Sequence, residues 1–242
     1  MKKLLTAFSL LLMLAVLASA DFFVKTKTHT DAFSIMGQDQ PAKDEIMEQW
    51  FGDDQFAAVM SKLSIVVDLK KNMLYWINQE QKTYIESTLP FDFAKIAPAE
   101  MAPMLSQIMK MTVTVAPNGQ TKTIGQWKCS GYDVSIQMMM MQFKMAVWAT
   151  TDVPFDLEKF YRLYANVLKA QMRIDDAAVE EMRKIKGYWI SSEVTAEIMG
   201  TSMKSTSEVI EISKKTPDAS VYSVPAGFTK QDKLSMQDMQ RR

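Results

Sequence analysis

The chain has 242 residues, with 28 basic and 28 acidic side chains, one histidine, one cysteine and 21 methionines. A formal net charge of zero, without a basic run, argues against a nucleic-acid binder. A lone cysteine excludes an internal disulfide, and a lone histidine excludes a two-histidine metal motif.

In chain order, the first feature is Lys2 and Lys3 followed by an apolar block from Leu4 to Leu17 and the small-x-small site Ala18-Ser19-Ala20. This is the pattern of a secretory signal peptide cleaved after Ala20. The block is shorter than the ~20 residues a membrane-spanning helix needs, and no second long apolar run follows. The expected mature protein is therefore periplasmic or secreted, with no transmembrane segment. Asp21 stands where a lipoprotein would carry its cysteine. Taking residues 1–20 from 242 leaves 222, of a size for one large β domain. Loss of Lys2 and Lys3 leaves 26 basic against 28 acidic residues.

Period-two alternation then dominates, interrupted by short polar turns. Phe23 to Ile35 reads as a first strand with a threonine face at Thr26, Thr28 and Thr30. His29 shares the opposite face with Lys25, Lys27 and Asp31, the composition of a solvated surface. Glu45 to Phe51 and Phe56 to Met60 flank Gly52-Asp53-Asp54 as a hairpin. Leu63 to Leu69, Met73 to Ile77 and Lys82 to Glu86 continue an antiparallel meander.

Pro98 and Pro103 interrupt the alternation, and Met104, Leu105, Ile108 and Met109 space like a short helix. Asn118-Gly119 between two β-type runs predicts a hairpin, because both residues tolerate positive φ. Tyr132 to Ile136 and Met141 to Val147 form the next pair. Met138, Met139, Met140 and Met141 fall at its turn, where polar residues are the rule. An apolar tip of that kind suits a contact surface for a protein partner.

Two helices follow. Pro154 and Asp156 open the first, with Leu157, Phe160, Tyr164 and Val167 along one stripe. Asp175 and Asp176 open the second, predicted over Ala177 to Lys186 and closed by Gly187. Strands resume from Tyr188 to Ile198 and from Ser202 to Ile212, Val224 to Phe228 forms a docked segment, and residues 229–242 form a polar tail that frays. The expected fold is α+β and mainly antiparallel: a curved sheet or half-barrel of about ten strands, capped by two or three helices, in a single domain over residues 21–228.

No nucleophile elbow, Cys-x-x-Cys pair or phosphate-cradling glycine loop occurs. Turn, helix-start and helix-surface positions explain the acidic pairs Asp53-Asp54, Asp175-Asp176 and Glu180-Glu181. Hence no enzyme, cofactor or resident metal is expected. The methionine excess has three readings: ordinary core, a surface tolerant of varied apolar ligands, or soft-metal binding. For metal, neighbouring strand residues point to opposite faces, so only Met139, Met141 and Met145 could converge. Cys129 is either a buried small residue or a reactive thiol.

Several motifs in order carry a family resemblance: Asp68 to Tyr84, Ile124-Gly125-Gln126-Trp127-Lys128-Cys129 leading to Tyr132, Met145 to Thr150 followed by Asp152-Val153-Pro154, and Val224-Pro225-Ala226-Gly227-Phe228. Together they resemble an uncharacterised family of exported bacterial proteins grouped with the LolA-like lipoprotein carriers. The resemblance implies a curved half-barrel closed by helices, which the characterised carriers use to shield acyl chains. Those carriers latch their lid with an arginine from an early strand, whereas every arginine here lies at Arg162 or later.

On this reading Ile65, Val67, Tyr75, Val134, Ile136, Phe143 and Met145 from strands, with Phe160 and Tyr164 from a helix, are the candidate apolar lining of a lipid or small-molecule cavity. The same residues would equally make a filled core. The expected function is an exported, non-enzymatic envelope protein that binds a lipid or other apolar ligand. The alternative is a structural or protein-interaction module of the envelope that docks through the Met138 to Met141 tip.

Overall fold

A computed structural model describes residues 20–35, 37–101, 111–138, 141–172, 174–198 and 200–235. The apolar leader and the helix expected around Met104 to Met109 lie outside the described residues. The strands are β1 (Asp21–Thr30), β2 (Phe33–Ile35), β3 (Gln38–Gln40), β4 (Lys43–Phe51), β5 (Gln55–Val59), β6 (Leu63–Asp68), β7 (Met73–Asn78) and β8 (Thr83–Thr88). After α1 (Phe93–Ile96) come β9 (Met111–Ile124), β10 (Trp127–Met138), β11 (Met141–Thr150), α2 (Leu157–Met172) and α3 (Asp176–Met182). The described chain closes with β12 (Tyr188–Ile198), β13 (Thr201–Lys215) and β14 (Thr229–Lys230).

Twelve strands, rather than about ten, form one unclosed sheet in the order β14-β8-β7-β6-β5-β4-β1-β13-β12-β11-β10-β9. Every pairing is antiparallel except β14 with β8. The sheet curves. β4 and β12 stand three ladder steps apart, about 14 Å on a flat sheet at ~4.8 Å per step. Yet the rings of Phe51 and Tyr188 meet edge to face at 6.2 Å. Bulges in three pairings, β1 with β13, β9 with β10 and β11 with β12, add the local twist and bend such curvature needs.

Helices α2 and α3 lie on the concave face. Asp156 Oδ1 accepts from the backbone N–H groups of Glu158 and Lys159 at 2.8 and 3.1 Å, capping the start of α2 as the sequence predicts. Of the expected stripe, Phe160 and Val167 are buried against the sheet, joined by Leu163, while Leu157 and Tyr164 are partly buried beside them. Around it gather Phe51, Phe56, Phe155, Tyr164 and Tyr188, with Phe155 stacked on Phe51 at 5.2 Å and Phe160 on Tyr164 at 4.8 Å. Such pairs contribute about 0.5–1.5 kcal/mol each beyond burial. Exposed ion pairs on the convex side, such as Lys25–Glu48 and Lys27–Asp44, contribute ~0–1 kcal/mol. The aromatic cluster therefore dominates cohesion. His29 sits in that convex charged belt, its Nδ1 2.6 Å from Asp44 Oδ1, as expected of a solvated face.

Several expectations need correction. The first strand stops at Thr30, and Phe33–Ile35 pairs instead with Gln38–Gln40 as a separate two-stranded sheet. Asn118-Gly119 does not turn a hairpin: β9 runs through it, and the turn falls at Gly125-Gln126. The positive φ of Gly119 serves a bulge, where the ladder passes from Tyr132↔Pro117 to Ser130↔Thr121. Asn118 Oδ1 accepts from the Gln120 N–H, giving that bulge a local bond. As β9 is an edge strand, a proline and a bulge there interrupt no second ladder. Glu181 of α3 covers the same edge by accepting from the Val115 N–H at 3.0 Å.

Helix α3 is capped by Asp175 but ends at Met182, so the basic residues Arg183, Lys184 and Lys186 lie on the turn beyond it. The segment past Phe228 does not fray at once. Thr229 and Lys230 pair with Thr83 and Tyr84, and Leu234 is buried with its N–H bonded to the Ile96 carbonyl at 2.7 Å. Val224 and Phe228 dock on the convex face against Ala57, Val66 and Ile77.

Candidate functional site

Across the middle of the concave face the residue type changes. Successive cross-strand rows read Gln49 beside Val24, then Met47, Thr26 and Val209, then Thr28, Ser207 and Ser192. Longer side chains thus give way to small hydroxyls, and the helices above do not close on them. A crevice of about 210 Å³ remains between this floor and a roof from α2 and α3, which supplies Phe160, Tyr164, Leu168, Val179 and Met182. Its volume is below the ~300–1,000 Å³ usual for ligand pockets.

Five consecutive residues of β12, Tyr188 to Ser192, line the crevice, which a regular strand with alternating faces could not do. The bulge in β12 explains it, because Trp148 pairs with Ser191 while Ala149 pairs with Trp189, leaving Ile190 over. Tyr161 fixes the α2 side of this corner. Its hydroxyl accepts from the Gly187 N–H at 2.7 Å and lies 3.1 Å from the Gly187 carbonyl oxygen.

At the inner end Gln49, only 2% exposed, accepts a hydrogen bond from the Tyr188 hydroxyl. Burial pushes the Tyr164 hydroxyl up to about 12, with a Gln49 hydrogen bond acting the other way. Burial also drives Tyr188 well above the ordinary tyrosine value. Both phenols therefore stay neutral donors at physiological pH. Among the described residues Arg183 is the charged one lining the crevice, and Glu180 pairs with it at 2.9 Å. Among the described residues no group of three histidine, cysteine or carboxylate side chains is placed to hold a metal.

The sequence model of a family described as a domain of unknown function, DUF4412, matches residues 28–228. The chain belongs to the DUF4412 family. No curated protein matches it. The DUF4412 match begins in β1 at Thr28 and ends at Phe228, so it contains all but Thr26 of the crevice lining.

Of the nine expected lining residues, two line the crevice, Phe160 and Tyr164. Ile65 and Val67 are fully buried under α2 in the aromatic cluster. Val134 and Ile136 are buried with Phe143 and Met145 packed beside them, in a second cluster under α3. Tyr75 is on the other face. It pairs with Val66, whose side chain points away from those of Ile65 and Val67, and it packs toward the docked Val224–Phe228 segment. Met138 and Met141 pair at the end of the β10–β11 hairpin, and Met139 and Met140 lie outside the described residues. Cys129 is buried, and burial raises its thiol pKa.

The polar floor was missed as a site, although its signal was present in the Thr26, Thr28, Thr30 alternation. Ser205 and Ser207 continue the pattern on the strand that pairs with it, where Thr28 Oγ1 lies 2.8 Å from Ser207 Oγ.

Proposed function

We propose that this DUF4412 protein is an exported, non-enzymatic binder of a small apolar or amphipathic molecule, held between α2, α3 and the concave face of a LolA-like sheet. The observation that carries this reading is the crevice itself. It sits where the floor turns from large to small side chains, with an aromatic and aliphatic roof above. Export is supported by the leader pattern and by the start of β1 at Asp21, the residue after Ala18-Ser19-Ala20. Asp21 is part of the fold, since its carboxylate accepts from the Tyr222 hydroxyl at 2.6 Å. The absence of an early arginine latch separates this binder from lipoprotein shuttling by the carriers' lid mechanism.

Native mass spectrometry of the protein purified from its own envelope fraction, with organic extraction, tests the reading. A reproducible adduct that Ala165→Trp removes is the expected result, because Ala165 lines the crevice and indole would fill it. An unliganded mass for the wild type, or an adduct that persists in Ala165→Trp, overturns it.

A further inference from the structure

The polar groups of the crevice are unequally satisfied. Thr28 and Ser207 bond each other, and Tyr188 bonds Gln49. Thr26 and Ser192 are each only 8% exposed, and among the described residues neither hydroxyl has a hydrogen-bond partner. A buried hydroxyl without a partner is destabilising, because its lost hydration is not made good. Two on one floor, beneath an apolar roof, mark where a ligand's own polar atom would sit.

Charge narrows the class. Among the described residues no lysine, histidine or carboxylate lines the space, and the guanidinium of Arg183 is paired with Glu180. A cationic head group against this floor would lose its hydration without gaining a counter-charge, and an anionic one would have to draw Arg183 away from Glu180. Hydroxyls both donate and accept, so they suit an alcohol or an amide. Size narrows it again: a cavity of ~150 Å³ holds benzene, so about 210 Å³ suits a substituted ring or a short chain.

Resting on the proposed function above, we infer that the crevice selects an uncharged amphiphile, a short-chain or single-ring alcohol or amide, whose polar atom bonds Thr26 and Ser192 while its apolar body lies under Phe160 and Leu168. Selection comes from the floor and affinity from the roof.

Calorimetric titration of the full mature protein with 1-octanol, octanoate and octylammonium at pH 7 tests this, since the three share a chain and differ in head-group charge. The expected result is 1-octanol binding at least about tenfold more tightly than either ion, a difference of ~1.4 kcal/mol. Thr26→Val and Ser192→Ala, which nearly conserve volume, should each reduce that preference severalfold and leave binding of the ions unchanged. Equal binding of all three probes, or a preference for an ion, overturns the head-group assignment while leaving an apolar-ligand crevice standing. An undiminished preference in folded variants overturns the assignment of Thr26 and Ser192. Binding of none of the three overturns both this inference and the function beneath it. Near-UV circular dichroism verifies that each variant is folded, and if one is not, the wild-type comparison decides alone.

Discussion

The hydroxyl of Tyr188 on β12 donates to Gln49 Oε1 on β4, across the two intervening strands β1 and β13. Both residues are at most 5% exposed, so this bond joins the halves of the curved sheet in a region with little water to replace it. Tyr188→Phe should therefore lower stability by about 1–3 kcal/mol, because the Gln49 acceptor stays buried and loses its donor. Urea unfolding measures the cost. Adding Gln49→Leu should recover part of it, and a strictly additive double mutant would contradict the pairing.

Gly187 leads from the α3 turn into Tyr188 at φ +107°, and a Cβ built there would lie 2.2 Å from the Thr150 carbonyl oxygen. Backbone, not a flexible side-chain tip, blocks the space. Gly187→Ala should destabilise the fold by at least about 2 kcal/mol, combining backbone strain with a displaced β11–β12 corner. A melting temperature within a degree of wild type would refute the close approach.

Asp68 is 2% exposed. Burial raises its pKa, but hydrogen bonds from the Lys71 N–H at 3.0 Å and Gln55 Nε2 at 2.9 Å, with the Lys71 ammonium, outweigh burial and leave it below the ordinary aspartate value. A pKa lowered in the folded state adds stability above the unfolded value, about 3.9, and that contribution is lost as pH falls through the folded value. Wild type should thus be more stable than Asp68→Asn at pH 7, with the gap narrowing below about pH 4. Paired urea titrations at pH 7 and pH 2.5 decide it, and a gap that widens in acid would reverse the sign.

Cys129 is 1% exposed, with its thiol pKa raised by burial, against a smaller opposing influence of Lys122. Thiolate is the reactive form. The native protein should resist a thiol reagent such as iodoacetamide at pH 8 and react fully once unfolded in urea. Fast stoichiometric labelling of the native state would instead make Cys129 a reactive site.

By itself the sequence determined the antiparallel character of the chain, the meander from Glu45 to Glu86 and the position of α2. Each rests on neighbours in the chain: alternation along Leu63 to Leu69, a cap at Asp156, a stripe at Leu157, Phe160, Tyr164 and Val167. Only the tertiary structure decided which apolar residues are core and which face the crevice. Ile65 and Val67 are indistinguishable in sequence from lining residues, yet α2 packs directly on them. Tyr75 follows the alternation within β7, but the face it shares with Val66 depends on the β6–β7 register and on the Val224–Phe228 segment folding back. Asn118-Gly119 became a bulge rather than a turn because β9 continues its ladder with β10 on both sides of it. The crevice depends on side chains from β1, β4, β12 and β13 meeting beneath two helices, a coincidence of long-range registers that curvature creates and no local pattern encodes.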